Sequence, residues 1–327
     1  MQLTKLTDHH PSELVNINYQ MGNTCNYACW YCFPGSNEGT YRWPNFELAK
    51  NNLEHIIDCY KKSGKTRFNI DLIGGEPTLW PELGKFTKYF RQLGCTFHLS
   101  TNGSRSINWW KKHGGEFDTI YISCHHQRID VEHVKELADM LWQEHNNVIC
   151  DVLMDTKDWQ KCVNIVDSLL DSKTSFPVNV KPIKLGDVTQ DTNYDQSQYL
   201  LDQRKRDPKQ DEIFKPKRKK PPVQLTLEDG SKQDVSKNYI LINNLNKFEG
   251  WTCNLGVDTI FINFDGSIGS VCGNNLLGFK SGTYNLYDID LPNKFDPVVK
   301  PVTCEQKKCM CQVGFLLEKH NPTYHTL

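Results

Sequence analysis

The sequence predicts an α/β protein built on a parallel sheet. Between residues 14 and 183, six strand-like segments alternate with segments whose apolar residues recur at helical spacing. Strands that alternate with helices favour right-handed βαβ units and parallel pairing. The unusual motifs of this region all follow predicted strands, and in such folds the carboxyl ends of the strands hold the functional residues.

Alternating apolar and polar side chains locate the strands, and apolar residues three and four positions apart locate the helices. The predicted strands cover residues 14–20, 66–73, 95–100, 118–123, 148–154 and 175–183. The predicted helices cover residues 46–62, about 81–93 and about 105–113, a segment capped by Asp130, and a segment that begins near Trp159.

Length and composition exclude several classes of protein. At 327 residues with a formal net charge of -1, the chain can form one large domain with an appendage and shows no overall signature of polyanion binding. The mean hydropathy is -0.58, and neither a membrane-spanning run nor a signal peptide is visible. The thirteen cysteines favour metal ligation in a reducing compartment over disulfides. We therefore expect a soluble, cytoplasmic protein without a membrane partner.

The composition changes near residue 185. Residues 186–221 are polar and carry a basic run between 204 and 220. This run predicts a solvated loop, with a docking surface for an acidic partner as the alternative. A β-hairpin with a turn at Asp229-Gly230 follows. The predicted domains are a first domain at residues 12–185, a linker with a hairpin at 186–248, a cysteine-rich domain at 249–316 and a tail at 317–327.

The segment MGNTCNYACWYCFPG, residues 21–35, places Cys25, Cys29 and Cys32 in a C-x3-C-x2-C spacing. Three thiolates on so short a loop can hold three corners of a [4Fe–4S] cluster. Such a cluster normally takes four cysteines, so three leave one iron open, and an open coordination position is typical of a reactive site. The alternatives are incidental buried thiols or a zinc site, which would need a fourth ligand and usually C-x2-C pairs.

This motif resembles that of the radical S-adenosylmethionine (SAM) enzymes, C-x3-C-x-aromatic-C, with Tyr31 as the aromatic residue. The resemblance implies a partial (β/α)6 TIM-like barrel over residues 12–185, with SAM at the open iron of the [4Fe–4S] cluster. It also implies that a flavodoxin- or ferredoxin-type donor supplies an electron. SAM would then yield a 5′-deoxyadenosyl radical that removes a hydrogen atom from the substrate, and Tyr31 would flank the nucleoside of SAM.

The same resemblance assigns further SAM-binding residues. The GGEP segment, made of Gly74, Gly75, Glu76 and Pro77, would bind the amino group of the methionine moiety. Later strand ends would supply further contacts to SAM from Ser100, Thr101, Asn102, Ser123 and Met154. A tight turn after a strand and ordinary polar strand ends are the alternatives.

The strand at 118–123 leads into the most titratable group of side chains in the first domain. Cys124 could quench a carbon radical by donating a hydrogen atom. His125 could exchange a proton with the substrate, because histidine titrates near neutral pH. We therefore predict both residues as catalytic, and a hydrogen bond to SAM or to the protein is an equally supported role for His125.

Five cysteines lie in the predicted C-terminal domain, around a hairpin with its turn at Asp265-Gly266. They are Cys253, Cys272, Cys304, Cys309 and Cys311. A small domain with little apolar content is stabilised by a bound metal. The arrangement resembles the SPASM/Twitch domains of radical SAM enzymes, which implies one auxiliary [4Fe–4S] cluster. Which four thiols bind it stays open, and structural zinc is the alternative.

These features predict a radical SAM oxidoreductase or maturase that oxidises, crosslinks or epimerises a peptide or protein. The peptide assignment follows from the resemblance to auxiliary-cluster enzymes, since fold alone does not determine a substrate. A small molecule such as a sugar or nucleoside is the second candidate substrate. Nucleic acid, bound through the basic run, is a less favoured one. A non-enzymatic iron–sulfur or zinc protein is the alternative from a different class.

Overall fold

The computed structural model of the chain describes residues 3–7, 11–32, 35–41, 43–145, 147–155, 157–170, 175–183, 223–235, 240, 243–269, 284–309 and 317–324. The chain divides into two compact units. The first contains residues 1–20, 44–70 and 220–327, and the second contains residues 21–43 and 71–219. Within the described ranges, no helix is both long enough and apolar enough to cross a membrane.

Strands and helices alternate through the first half of the chain. The order is β1 (Leu3–Thr7), β2 (Leu14–Gln20), α1 (Phe46–Lys62), β3 (Arg67–Ile73), α2 (Leu83–Gln92), β4 (Thr96–Thr101), α3 (Ile107–His113), β5 (Thr119–Cys124), α4 (Val131–His145), β6 (Val148–Met154), α5 (Trp159–Leu169) and β7 (Val178–Pro182). The predicted alternation is confirmed, and only the short strand β1 was not foreseen.

The described residues of the C-terminal part form mainly short strands. They are β8 (Val223–Leu227), β9 (Lys232–Val235), β10 (Thr252–Cys253), β11 (Thr259–Ile262), β12 (Ser267–Gly269), β13 (Tyr284–Asn285), the one-turn helix α6 (Leu291–Lys294), β14 (Val302–Thr303) and β15 (Lys319–His320). Both predicted hairpins are confirmed, because β8 pairs antiparallel with β9 and β11 pairs antiparallel with β12.

In the first unit, β13, β12, β11 and β2 are neighbours in that order, and a second sheet has the order β14-β10-β15-β1-β8-β9. Strand β11 pairs in parallel with β2, with Thr259 opposite Asn16. The salt bridge between Lys65 and Asp258, at 2.6 Å, lies beside this pairing. The sequence pattern did not foresee that a strand from the cysteine-rich segment pairs with β2.

In the second unit, β4, β5, β6 and β7 pair in parallel in that order. Successive side chains of a strand point to opposite faces, and one face is apolar and at most 9% exposed. Its residues are Phe97, Leu99, Ile120, Ile122, Val148, Cys150, Val152, Val178 and Val180. Helix α2 packs against β4, and helices α4 and α5 pack against β6. The mixed α/β fold with a parallel sheet is confirmed, whereas the partial barrel and the separate auxiliary domain stay predictions.

Candidate functional site

The loop after β2 carries the three predicted cluster ligands and is held by one buried amide. The Asn23 side chain is 0% exposed. Its Nδ2 donates to Gly35 O at 2.6 Å and to Thr40 Oγ1 at 2.9 Å, and its Oδ1 accepts the Tyr41 N–H at 2.7 Å. These bonds tie the two ends of the cysteine loop together. An asparagine in a loop carries no distinctive sequence signal, so Asn23 was not predicted.

The side chains of Cys25, Cys29 and Cys32 all lie on this loop. Burial raises the pKa of Cys29 to about 11, and the charges of Cys25 and Cys32 act in the same direction. Burial also raises the pKa of Cys25, with contributions from Glu76 and Cys32. Three thiols whose charges repel one another need a cationic partner to ionise together, and bound metal supplies it. The donor set therefore fits a metal cluster.

The GGEP segment lies against the backbone of the cysteine loop. The Gly75 N–H donates to Gly22 O at 3.0 Å, and the Glu76 N–H donates to Thr24 O at 2.8 Å. A Cβ added to Gly75 would lie 2.2 Å from Thr24 O. Gly74 has a φ of 110°, which residues with a Cβ rarely adopt. The close approach of the two loops therefore requires glycine at position 75, and the backbone conformation favours glycine at position 74.

Replacing Gly75 with alanine is expected to destabilise the iron-free protein by about 3 kcal/mol, because the new Cβ meets a backbone carbonyl that cannot rotate away. Urea-induced unfolding measures the change. Gly269→Ala is the matched control, since a Cβ at Gly269 meets no heavy atom within 4 Å. Equal unfolding midpoints for the two variants would contradict the close approach.

The Glu76 carboxylate is 1% exposed and joins GGEP to the end of β4. Its Oε1 accepts the Thr78 N–H at 3.1 Å, the Thr78 hydroxyl at 2.6 Å and the Thr101 hydroxyl at 2.7 Å. Its Oε2 accepts the Asn102 N–H at 2.6 Å. Burial raises the pKa of Glu76, and these hydrogen bonds oppose the rise. The predicted SAM-binding residues Glu76, Thr101 and Asn102 are thus bonded to one another.

Asn102 connects this network to the thiols. Its Nδ2 lies 3.9 Å from Cys25 Sγ and donates to Asn26 Oδ1 at 2.8 Å. Pro77 is buried and starts a short 3-10 turn. Ser100 is half-buried and alternates in β4 with the buried Leu99 and Thr101. Their contacts to SAM stay predictions.

Two histidines flank the ring of Tyr31. The Tyr31 and His125 rings are stacked with centroids 5.8 Å apart, and the Tyr31 hydroxyl lies 3.0 Å from His125 Nδ1. The His126 ring stacks on Tyr31 at 5.6 Å. Burial raises the pKa of Tyr31, so its hydroxyl is protonated at neutral pH. The structural hydrogen bond considered for His125 is therefore present, with Tyr31 as its partner.

Burial lowers the pKa of His125 to about 4, with a smaller contribution from His126. An unfolded histidine has a pKa of about 6.5. As the pH falls from this value towards about 4, the unfolded chain therefore gains a proton that the folded protein does not bind. The contribution of neutral His125 to the free energy of unfolding is complete above about pH 6.5 and is lost as the pH falls towards about 4.

We expect the iron-free protein to lose up to about 3 kcal/mol through His125 between about pH 7 and pH 4. Urea unfolding across that range measures the loss, and His125→Gln should make it smaller. An equal loss in both proteins would contradict the burial of a neutral His125.

A carboxylate cluster that was not predicted anchors the neighbouring Trp30. The Trp30 Nε1–H donates to Asp155 Oδ2 at 3.0 Å. His126 Nε2 lies 3.4 Å from Asp155 Oδ2 and 3.0 Å from Asp158 Oδ2, and Lys157 Nζ lies 3.6 Å from the centroid of the Trp30 ring. Residues after β5 and β6 thus hold both aromatic side chains between Cys29 and Cys32. These contacts join loops that are distant in sequence, so no local sequence pattern indicates them.

The other predicted residues lie at the ends of β5 and β6, on opposite faces of the sheet. Cys124 and Met154 are each 1% exposed and belong to the buried face, where the Cys124 thiol lies 3.7 Å from Ile122 O. Ser123 is half-buried on the opposite face, level with Asp151. The roles predicted for Cys124, Met154 and Ser123 stay predictions.

The C-terminal thiols lie in the first unit. Cys253, Cys304 and Cys309 are buried, while Cys272 and Cys311 lie outside the described residues. Burial raises the pKa of Cys304, and the charges of Cys309 and Cys253 add to the rise. Burial also raises the pKa of Cys253, opposed by the ammonium of Lys319. Three of the five predicted auxiliary ligands therefore interact electrostatically.

Comparison with known proteins identifies the segment that holds the first site. Residues 19–143 match the Radical SAM superfamily. The chain is 32% identical over 122 residues to 7,8-dihydro-6-hydroxymethylpterin dimethyltransferase of Methanocaldococcus jannaschii. It is 33% identical over 110 residues to an S-adenosylmethionine-dependent nucleotide dehydratase of Selenomonas ruminantium. The matches cover 36% and 33% of this chain but only 23% and 38% of those relatives.

Solved structures extend the likeness of fold to most of the chain. Streptococcus suis SuiB bound to S-adenosylmethionine matches 88% of this chain and 67% of its own, with a TM-score of 0.52 and 14% identity. SuiB bound to precursor peptide SuiA gives a TM-score of 0.53 and 15% identity over 88% of this chain and 66% of its own. At such identity the likeness concerns the fold alone. Residues 19–143 thus match the Radical SAM superfamily, and most of the chain shares its mixed α/β fold with these solved structures.

Proposed function

We propose that the protein is a radical SAM enzyme whose site lies between the cysteine loop and GGEP. The observation that carries this proposal is the contact between the cysteine loop and the buried Glu76 network. The Gly75 and Glu76 N–H groups donate to the backbone of the loop, and Asn102 Nδ2 lies 3.9 Å from Cys25 Sγ. A bound [4Fe–4S] cluster with one open iron would bind SAM and supply the electron that cleaves it to methionine and a 5′-deoxyadenosyl radical. Cys25, Cys29 and Cys32 would hold that cluster.

The residues around GGEP are suited to orient SAM. Each carboxylate oxygen has about two acceptor positions, and Glu76 Oε2 accepts one described hydrogen bond, from Asn102. A second acceptor position on Oε2 would take the ammonium group of the methionine moiety. Glu76 would also keep Asn102 in place beside the Cys25 thiolate.

The aromatic and polar side chains around the cysteine loop would position the nucleoside. Tyr31 is held by two histidine rings and by its hydrogen bond to His125, so its backbone is fixed next to Cys32. With a pKa of about 4, His125 is neutral near pH 7 and can accept a proton only from an acidic donor. We therefore assign His125 a positioning role through Tyr31. Ser100 and Ser123 remain candidate contacts to SAM.

Two classes of substrate are proposed. A peptide or protein substrate rests on the C-terminal cysteines and on the fold shared with SuiB, which has been solved with its precursor peptide. A small-molecule substrate is supported by the local similarity to S-adenosylmethionine-dependent nucleotide dehydratase, at 33% identity over 110 residues. The electron would come from a flavodoxin- or ferredoxin-type donor in a reducing cytoplasm.

An auxiliary [4Fe–4S] cluster is proposed in the first unit, with Cys253, Cys304 and Cys309 among its ligands. Cys309→Ala is expected to lower the iron content of the reconstituted protein by about half, because one of two four-iron clusters loses a ligand. Deoxyadenosine production should be retained in part. Iron analysis with Cys95→Ala as the control, a buried cysteine preceding β4, checks this. Unchanged iron in Cys309→Ala would contradict the auxiliary cluster.

The proposed function is tested by anaerobic reconstitution with iron and sulfide, followed by SAM and dithionite. Production of 5′-deoxyadenosine by the intact protein, measured by chromatography and mass spectrometry, is the expected result. A protein that binds iron or zinc but yields no deoxyadenosine, while a radical SAM control enzyme turns over, would instead be a non-enzymatic metalloprotein.

A further inference from the structure

The parallel strands β4–β7 have one face that differs from an ordinary parallel sheet. Strands of such sheets are normally apolar on both faces, because helices cover both. Here the face opposite the apolar core is polar and mostly half-exposed. We call it the polar face, formed by His98, Ser100, Thr119, Tyr121, Ser123, Asp151, Asn179 and Lys181, with Ile149 and Leu153 as its apolar members.

One cation on the polar face is held in a fixed position. Lys181 Nζ donates to Asp151 Oδ2 at 2.5 Å, and Asn179 Nδ2 donates to Asp151 Oδ1 at 3.2 Å. The Lys181 side chain is 51% exposed, whereas that of Asp151 is 1% exposed. An approaching anion would therefore meet the ammonium group and not the carboxylate. The ammonium has three donors, so it can bind an anion while keeping Asp151.

Aromatic and titratable side chains continue the polar face away from Lys181. The Lys181 ammonium lies 5.4 Å from the centroid of the Tyr121 ring. The Tyr121 ring meets His98 edge-on at 6.4 Å, and His98 Nδ1 lies 2.9 Å from Asp71 Oδ1. Four strands spaced by about 4.8 Å make this face about 14 Å wide. It therefore offers one cationic end and a hydrogen-bonding surface to a molecule of nucleotide size.

The polar face adjoins the cysteine loop. Leu153 is directly opposite Lys181 in the β6–β7 pairing. Leu153 also packs, together with Ile183, against Cys29 and Tyr31. A ligand held by Lys181 would thus lie beside the side chains that contact the thiol loop, where a substrate has to be for its hydrogen atom to be removed.

From these contacts we infer that the polar face binds the substrate, and that Lys181, positioned by Asp151 and Asn179, binds a phosphate group of it. The substrate class is then a phosphate-bearing small molecule of nucleotide size. This inference rests on the proposed function and selects the second of its two substrate classes. Recognition of a peptide would instead use backbone pairing or apolar pockets, and it does not require an ammonium group held in a fixed position.

The ion pair could also do no more than neutralise a buried carboxylate, and the two roles differ in what they predict. Loss of a neutralising pair lowers stability without changing ligand preference. Loss of a phosphate-binding cation weakens phosphate-bearing ligands and leaves a ligand without phosphate unaffected. The affinity ratio between a nucleotide and its nucleoside therefore separates the roles.

Binding is measured by calorimetry on the reconstituted protein with SAM, using GTP, CTP and inorganic tripolyphosphate, with guanosine and cytidine as the ligands without phosphate. At least one phosphate probe should bind the wild-type protein. Lys181→Gln should weaken that probe about 10- to 100-fold, as expected for one charge-assisted bond. Lys181→Arg should retain binding within a few-fold. Lys88→Gln, an exposed lysine on α2, is the charge-matched control and should bind as wild type.

If Lys181→Gln fails to fold, the double variant Asp151→Asn with Lys181→Gln removes the unpaired carboxylate and keeps the test. Equal affinity of phosphate probes for wild type and Lys181→Gln would overturn the inference. So would a wild-type protein that makes deoxyadenosine but binds none of the phosphate probes. That second outcome leaves the proposed function standing, whereas absent deoxyadenosine production would remove the proposed function itself.

Discussion

Replacing Cys29 with alanine is expected to abolish production of 5′-deoxyadenosine, by at least about 10³-fold, equivalent to about 4 kcal/mol of barrier. Two thiolates cannot hold the three corners of a cluster that binds SAM, so the electron has no path to the sulfonium. Deoxyadenosine per protein, with iron content measured in parallel, checks the result. The Cys29 side chain is largely buried, so folding is verified by circular dichroism.

Cys59→Ala is the matched control for that experiment. Cys59 lies on α1 with its Sγ 3.3 Å from His55 Nε2, and its removal should leave deoxyadenosine production within about twofold of wild type, as for most surface substitutions. Deoxyadenosine production by Cys29→Ala at the wild-type rate would show that the thiol loop does not hold the reactive cluster.

Replacing Glu76 with alanine is expected to destabilise the iron-free protein by about 3–5 kcal/mol. The change leaves the buried donors of Thr78, Thr101 and Asn102 without an acceptor, and each unsatisfied buried donor costs about 1–3 kcal/mol. Because the raised pKa of Glu76 shows that burying its charge is unfavourable, the net loss stays below the sum for the four donors.

Urea unfolding of the iron-free protein measures the effect of Glu76→Ala. Glu47→Ala is the control, because the Glu47 side chain is 67% exposed and pairs with Lys50 in the helix, a contact of about 0.5 kcal/mol. If both variants unfolded at the same urea concentration, the Glu76 network would not hold the two loops together. SAM binding should also weaken in Glu76→Ala, which isothermal titration of the reconstituted protein records.

Local periodicity predicted the α/β part of the fold because the apolar pattern of each helix and strand can be recognised within a few residues. The predicted helix 46–62 has the bounds of α1, since Asn45 caps its first turn and a buried stripe runs from Ala49 to Tyr60. Strand β1 was missed because it is short and pairs with β8 and with Lys319 and His320. No local pattern encodes a partner so distant in sequence.

The candidate site was predicted best where the backbone itself makes the contact. GGEP packs against the thiol loop, and this close backbone approach requires glycine at Gly75, whereas its predicted contact to SAM stays a prediction. In the strand after α3, Ser123 and Cys124 are adjacent in sequence but lie on opposite faces of the sheet, because the side chains of a strand alternate with a period of two. The Tyr31–His125 contact and the Trp30–Asp155 hydrogen bond join separate loops, so only the structure revealed them.

The central claim is that Cys25, Cys29 and Cys32 hold a cluster whose open iron binds SAM. Electron–nuclear double resonance of the reduced, reconstituted protein with SAM carrying a ¹⁵N-labelled amino group tests it most directly. We predict a ¹⁵N coupling to the cluster in wild type and in Cys309→Ala, and no coupling in Cys29→Ala. A reduced cluster without ¹⁵N coupling in the wild-type protein would contradict this assignment. A ¹⁵N coupling that persists unchanged in Cys29→Ala would contradict it as well.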